Sequence, residues 1–515
     1  MSTYDLRYSG KRWTVVYGAY EGVEKFAIEE IYDAVQKCMP YTVRCVDAQT
    51  CEVSDHDHLI VVGTPSNNSL VHDLIARGFL DVPDQSQGYI AVCQENVWNS
   101  NNRMIVIAGH DSHGVLYGVQ DFYTQVIALQ LKDVIEQSEL RSSFDQLPDV
   151  AMNDYPRIEH RGIWTWGYVI YDYVRFIDNM ARAKMNMLTI WNDCPPVNIQ
   201  EVIDYAHSRG IKIILGFPWG WGSKLDLTSQ EDRDLIRQSV LDEYKSHYYK
   251  LDIDGIYFQT LTEHNHVEMG GSSVARIVCD FVNDVANDLY EINNDLHIQF
   301  GLHATSILEK YEDLKDLDER VTIVWEDAGV IPYSYVPKDC LAEGPEGNKA
   351  IGLNSFDKTM QYTKKLTGFR KDTGFAIVPK GWCCIDWHHE FEHHREFILG
   401  RSDLSRCENQ LDVRMRRNWE ANNTLWEMNY PFAIQFYSEL INSRSHPLTV
   451  TGLIEDGLFE AVIQPSASIF SETIWNPLRD PADIRQRAKQ VEYAINSRNP
   501  LYHGTTNRCE YEMTS

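Results

Sequence analysis

Hydrophobic and polar positions along the chain fall into two regimes that meet near Pro156. Before it, short apolar runs at Trp13–Tyr17, Leu59–Val62, Tyr89–Val92 and Met104–Ile107 alternate with amphipathic stretches, one from about Val23 to Cys38 and one starting near Gly114. Short apolar runs bounded by turn formers predict buried strands, and the 3.6-periodic stretches predict helices. The front of the chain is therefore expected to be a small α/β sandwich. From Arg161 a strand–helix rhythm sets in and continues almost to the end. Eight strands are predicted, at Arg161–Trp166, Met187–Trp191, Lys212–Phe217, Gly255–Gln259, His297–Leu302, Val321–Trp325, Phe375–Pro379 and Leu448–Leu453. Helical patterns lie between several of them, over about Tyr173–Lys184, Ile199–Ser208, Gln230–His247, Ser273–Tyr290 and Leu411–Ile441. Eight β/α units predict a closed parallel TIM-type (β/α)8 barrel.

The breakers Pro148, Asn153, Asp154 and Pro156 place the boundary between Asp149 and Pro156. The expected organisation is residues 1–152 as an α/β ancillary domain, 153–480 as the barrel and 481–515 as a helical C-terminal extension. The glycines at 109, 114 and 118 do not have the spacing of a dinucleotide-binding turn.

Composition narrows the possible functions. The 515 residues carry 47 Lys+Arg against 75 Asp+Glu, a net charge of -28, which opposes binding to nucleic acid or to an anionic membrane surface. No secretion-type leader precedes Tyr4 and no apolar run approaches membrane-spanning length, so a cytoplasmic location is expected. Eleven cysteines without C-x2-C pairs fit reduced thiols, with the adjacent Cys383 and Cys384 read as packing. Neither a cofactor nor a resident metal is expected, and self-association as a homodimer is left open.

Active sites of such barrels form where the strands end, so the residues after each strand carry the chemistry. Those ends are Trp164 and Trp166; Trp191, Asn192 and Asp193; Trp219 and Trp221; Thr260, Thr262, Glu263, His264 and Asn265; His303; Trp325, Glu326 and Asp327; Lys380 and Trp382 with Asp386 and Trp387; and Glu455 and Asp456. Eight of the 13 tryptophans lie there. Aromatic planes mixed with carboxylates suit a carbohydrate, whose C–H faces lie on rings while its hydroxyls meet polar groups. Core packing is the competing reading for each tryptophan.

Cleavage of a glycosidic bond requires a carboxylic acid that protonates the leaving oxygen and a second group that attacks or activates water. Glu263, after the fourth strand, is expected to be the acid, against the alternative of a helix-capping carboxylate. Glu326 or Asp327, after the sixth, is expected to activate water, with Glu455 and Asp456 as rivals.

Several segments carry a resemblance. The run Ile105-Val-Ile-Ala-Gly-His-Asp-Ser-His-Gly-Val-Leu-Tyr-Gly-Val-Gln120 resembles the non-catalytic domain preceding the barrel in β-N-acetylhexosaminidases and α-glucuronidases. Pro156-Arg-Ile-Glu-His-Arg-Gly162, Phe176-Ile-Asp-Asn-Met-Ala-Arg-Ala-Lys-Met-Asn186 and Tyr205-Ala-His-Ser-Arg-Gly-Ile-Lys212 resemble the opening barrel segments of the same glycoside hydrolases. The resemblance implies an exo-acting glycosidase and a sugar-holding role for Arg161, whose alternative is a structural ion pair. Hexosaminidases carry Asp immediately before the acid, whereas this chain has Thr262, a departure from substrate assistance that brings it nearer the α-glucuronidases. Arg161 and Lys380 are the cations available for a sugar carboxylate, and a neutral sugar remains open.

Two other classes compete. His389-Glu390-Phe391-Glu392-His393 is a literal H-E-x-x-H, which on a helix would hold Zn2+ with Glu390 as base, as in a metallopeptidase. A barrel that binds carbohydrate without cleaving it is the other.

Overall fold

The computed structural model describes residues 10–128, 147–192, 194–220, 223–263, 266–303, 306–326, 356–382, 397–402, 416–455 and 459–498, with the backbone alone at Glu263 and at 416–418. The front unit is a six-stranded sheet of β1 (Trp13–Tyr17), β2 (Arg44–Asp47), β3 (His58–Gly63), β4 (Tyr89–Glu95), β5 (Arg103–Gly109) and β6 (Ala151–Asp154), ordered β2-β1-β3-β5-β4-β6. The first four strands in that order run parallel, and β4 is antiparallel to both β5 and β6. β3 and most of β5 are apolar and fully buried, as strands packed on both faces must be. Because Ala151–Asp154 pairs with β4, the first unit extends past residue 152 to Asp154.

The barrel strands are β7 (His160–Trp166), β8 (Met187–Trp191), β9 (Lys212–Gly216), β10 (Gly255–Gln259), β13 (Ile298–Leu302), β14 (Val321–Trp325), β15 (Phe375–Ile377) and β17 (Leu448–Ile454), with the short hairpin β11 (Glu268–Met269) and β12 (Ser272–Ser273) inserted after β10. Each barrel strand pairs in parallel with the next, and pairing of β15 with β17 and of β17 with β7 closes the ring. The expected fold is the one observed. The seventh strand is interrupted where Pro379, with no N–H to donate, ends β15, and the chain resumes as β16 (Lys380–Trp382) against β17 with an irregular register.

Alternation divides the barrel residues between two cores. Ile163, Leu188, Ile213, Ile256, Ile298, Val321, Phe375 and Leu448 face outward into a layer shared with the surrounding helices. Trp164, Trp166, Met187, Trp191, Ile214, Tyr257, Val324, Ala376, Val378 and Leu453 fill the interior. Helices Pro465–Trp475 and Pro481–Asn496 pack together at the end of the chain.

The front unit sits against the amino ends of the barrel strands. His113 Nε2 lies 3.0 Å from the Gly210 carbonyl just before β9, and Gln87 Oε1 accepts from Arg161 Nη2 at 2.9 Å and from Asn186 Nδ2 at 3.2 Å. Lys184, 1% exposed, is held between Asp121 of the front unit and Glu472 of the Pro465–Trp475 helix, at 2.9 Å from each. The carboxyl ends of the strands, at the opposite face, are left to form a mouth.

Candidate active site in the barrel mouth

The inward-facing residues at the carboxyl ends of the strands are Trp166, Trp191, Gln259, His303, Glu326, Lys380 and Glu455. Trp164 and Tyr257 lie one layer below: Trp164 stacks on Trp191 with centroids 6.4 Å apart and meets Trp166 edge-on at 5.2 Å, and Tyr257 meets both Trp164 and Trp191 edge-on at 5.7 Å. Edge and offset contacts of this kind rigidify an aromatic floor. A side chain at Gly216 would strike the Trp191 ring, so this glycine allows that indole to lie across the third strand.

Glu326 is the centre of the polar layer. It follows β14 directly and is buried. Its Oε1 accepts from the Tyr257 hydroxyl and, at 2.5 Å, from Gln259 Nε2, while its Oε2 lies 3.2 Å from His303 Nε2 and 3.3 Å from Lys380 Nζ. Proton accounting is consistent. Gln259 Nε2 gives one hydrogen to Glu326 and the other to the Tyr257 oxygen at 3.1 Å, which leaves His303 to donate from Nε2. Four donors thus converge on two oxygens, an arrangement suited to a carboxylate rather than a carboxylic acid. Glycine is required at 301, because a Cβ there would collide with both the Tyr257 hydroxyl and Glu326 Oε1.

Glu455 forms a second buried carboxylate at the closing seam of the barrel, where its Oε1 accepts from Trp166 Nε1 at 2.8 Å. The neighbouring Thr165 hydroxyl donates to the Ile454 carbonyl at 2.6 Å and ties the two strands. Lys380, partly exposed at 29%, lies on the strand between Glu326 and Glu455.

The backbone of Glu263 closes a 3-10 turn, Leu261–Glu263, directly after β10. Thr262 beside it is fully buried, and its hydroxyl accepts from the His303 backbone N–H at 3.3 Å. This fastens the turn to the fifth strand, so Thr262 braces the backbone instead of lining the mouth. Asn192 is buried against the Gly167 backbone after the first strand, and its N–H donates to the Gly216 carbonyl at 3.3 Å.

Three of the tryptophans expected at the mouth lie elsewhere. Trp219 stacks face to face on Phe258 with centroids 3.6 Å apart, and Trp325 packs on Tyr362 of the helix Phe356–Gly368. Trp382 stacks on Trp426 at 4.5 Å. All three belong to the outer core: Trp325 has the outward parity that its neighbour Glu326 lacks, and the irregular register in β16 turns Trp382 away from the side of Lys380.

Arg161 is also displaced from its expected role. It lies at the amino end of β7, at the face opposite the mouth, is 1% exposed, and donates to the carbonyls of Ile158, Glu159 and Lys184 and to Gln87. Its guanidinium lies 5.0 Å from the Trp475 ring centroid. Arg161 therefore joins the two units and cannot reach a sugar in the mouth.

Asp193, Trp221, His264, Asn265, Asp327, Asp386, Trp387, Asp456 and the His389/Glu390/His393 motif lie outside the described residues, as does the Glu263 side chain. Among the described residues no group of three His, Cys, Asp or Glu could hold a metal ion, and no helix is long and apolar enough to cross a membrane. Tyr257 and Gln259 were not expected at the site. The alternation in Gly255-Ile-Tyr-Phe-Gln259, which puts Tyr257 and Gln259 on one face with Glu326, was the signal for them.

Over 95% of the chain the fold matches a GH138 enzyme targeting pectin rhamnogalacturonan II, with a TM-score of 0.50 and 12% identity. The likeness is one of fold. The chain spans 54% of that enzyme's length. A β-N-acetylhexosaminidase from Bacteroides fragilis matches 94% of the chain, with 87% of its own length covered, at 12% identity and a TM-score of 0.44. The protein CpGH84D matches 95% of the chain, with 90% of its own length covered, at 9% identity and a TM-score of 0.42. The model of the S-layer like family, outer domain, matches residues 24–125, within the front unit. No curated protein matches the chain.

Proposed function

We propose that this chain is an exo-acting glycoside hydrolase that removes a terminal sugar in the barrel mouth. The observation that carries the reading is the buried Glu326 carboxylate, held by Tyr257, Gln259, His303 and Lys380 where barrel chemistry takes place. Glu263, at the end of the fourth strand, gives its proton to the glycosidic oxygen as the bond to the anomeric carbon breaks. A water then attacks that carbon and loses a proton to Glu326, or to Asp327 beside it. The fixed negative charge of Glu326 also stabilises the oxocarbenium-like transition state. Trp166 and Trp191 supply aromatic surface for the C–H face of the sugar ring. Exo action follows the resemblance to hexosaminidases and α-glucuronidases; with Thr262 before Glu263, water activation by a carboxylate across the barrel is preferred to substrate assistance.

Hydrolysis of a panel of aryl monosaccharide glycosides, with proton NMR of the first-formed anomer, tests this. Turnover with inversion is expected. Retention would overturn the role given to Glu326, and sugar binding without turnover would establish a binding-only barrel. Stoichiometric zinc with chelator-sensitive peptide cleavage would replace the reading by a metallopeptidase at His389, Glu390 and His393.

A further inference from the structure

The front unit carries a groove that the barrel chemistry does not use. It lies between the helix Gly22–Cys38 and the edge strand β2, has a volume of about 520 Å³, and is lined by Tyr17, Tyr20, Tyr32, Glu29, Asp33 and Cys45. Glu29, Tyr32 and Asp33 share one helix face through their i, i+3, i+4 spacing, and the buried Ile28 forms part of the wall. The Tyr17 and Tyr20 rings are 5.7 Å apart and inclined at 50°, so they present two differently tilted aromatic planes. Tyr20 is 51% exposed, and its hydroxyl donates to Glu29 Oε1 at 2.9 Å, which fixes the ring although it faces solvent.

We propose that this groove is a second binding site, for a neutral oligosaccharide, separate from the barrel mouth. Volumes of a few hundred Å³ or more are typical of small-molecule sites. Tyrosine planes take the C–H faces of sugar rings, and the Glu29 and Asp33 carboxylates accept from their hydroxyls. Asp33, in a chain of net charge -28, selects against an anionic glycan, whereas the charge of Glu29 is shared with Lys25, whose Nζ lies 3.9 Å from Glu29 Oε1 and 5.5 Å from the Tyr20 ring centroid. The front unit docks on the amino ends of the barrel strands, so the groove belongs to a different unit from the catalytic mouth and serves to hold a glycan rather than to cleave it. Cys45 lies exposed on β2 at the groove wall.

Titration calorimetry of the full chain with cellohexaose, xylohexaose, maltohexaose and chitohexaose tests the proposal. At least one of these probes is expected to bind saturably below about 10 mM. Tyr20→Ala, alone and with Tyr32→Phe, which keeps the core-packed ring, should weaken that binding about tenfold or more while leaving aryl-glycoside hydrolysis and the melting temperature close to wild type. Glu326→Gln should leave the binding intact, which separates failure of the groove from failure of the proposed hydrolysis. Absence of saturable binding by all four probes, or binding that the tyrosine substitutions leave unchanged, overturns the proposal. Stronger binding of a polyuronate than of any neutral probe overturns it as well.

Discussion

The Trp166 indole donates to Glu455 Oε1 at 2.8 Å, across the seam where the last barrel strand meets the first. This bond makes the closure of the barrel and the orientation of a buried carboxylate one structural event. Trp166→Phe keeps an aromatic ring and removes the donor. The kcat/KM for the best aryl glycoside is expected to fall about tenfold or more, for a loss of roughly 1–3 kcal/mol at a buried acceptor. An unchanged kcat/KM would show that Glu455 has no part in the chemistry.

Glu326→Gln removes the charge at the centre of the mouth while keeping the shape of the side chain. Hydrolysis should fall by about 10²–10³ or more, the range for loss of a preorganised electrostatic group. Lys380→Met should lower kcat less steeply, because Tyr257, Gln259 and His303 still hold Glu326. Near-ultraviolet circular dichroism of both variants distinguishes lost chemistry from lost structure.

Arg161→Met should act on stability alone. It leaves the carbonyls of Ile158 and Lys184 short of a donor in a buried junction, while Gln87 and Asn186 still serve the Glu159 carbonyl, at a cost of roughly 3–5 kcal/mol. Urea unfolding reads that loss, and KM of the folded fraction should not change. A raised KM with unaltered unfolding would return Arg161 to the sugar.

Glu460 links pH to stability. It is fully buried beyond the eighth strand, and its Oε1 accepts from the backbone N–H groups of Tyr171 at 2.5 Å and Asp172 at 3.1 Å. Burial, reinforced by the charge of Asp172, pushes its carboxyl up to about 7 from the ordinary 4.5. The folded protein therefore holds a proton that the unfolded chain releases between those values, and stability falls as pH rises from 4.5 to 7. The gap corresponds to roughly 3 kcal/mol above pH 7. His297, lowered to about 4 mainly by burial, acts in the opposite sense below neutrality, so the informative quantity is the variant minus the wild type. Glu460→Gln should gain stability relative to wild type progressively from pH 4.5 to 7, measured by thermal melts. A pH-independent difference would refute the linkage.

The barrel was legible from the chain because its strands are apolar runs at regular intervals, a signal that survives without tertiary information. The division of strand-end side chains was harder to read. Trp325 and Glu326 are adjacent in sequence, yet one packs on Tyr362 outside the barrel and the other lies in the mouth, and only the parity of β14 separates them. Parity also fails where the register slips, which is how Trp382 came to be expected beside Lys380. The family resemblance gives Arg161 a sugar-holding role, but the surroundings of a residue at the amino end of a strand depend on which face the neighbouring unit covers. The Tyr20 groove has no sequence motif, because its wall combines one helix face with the edge strand β2.

The position of Lys184 makes the two units mechanically interdependent. Its ammonium is balanced by one carboxylate from the front unit and one from the helix after the last barrel strand, so cutting the chain after Asp154 would leave a buried positive charge half compensated. The ancillary unit thus acts as a keystone: the protein should unfold in a single cooperative heat-absorption peak, and a barrel expressed without its front should be recovered as insoluble material.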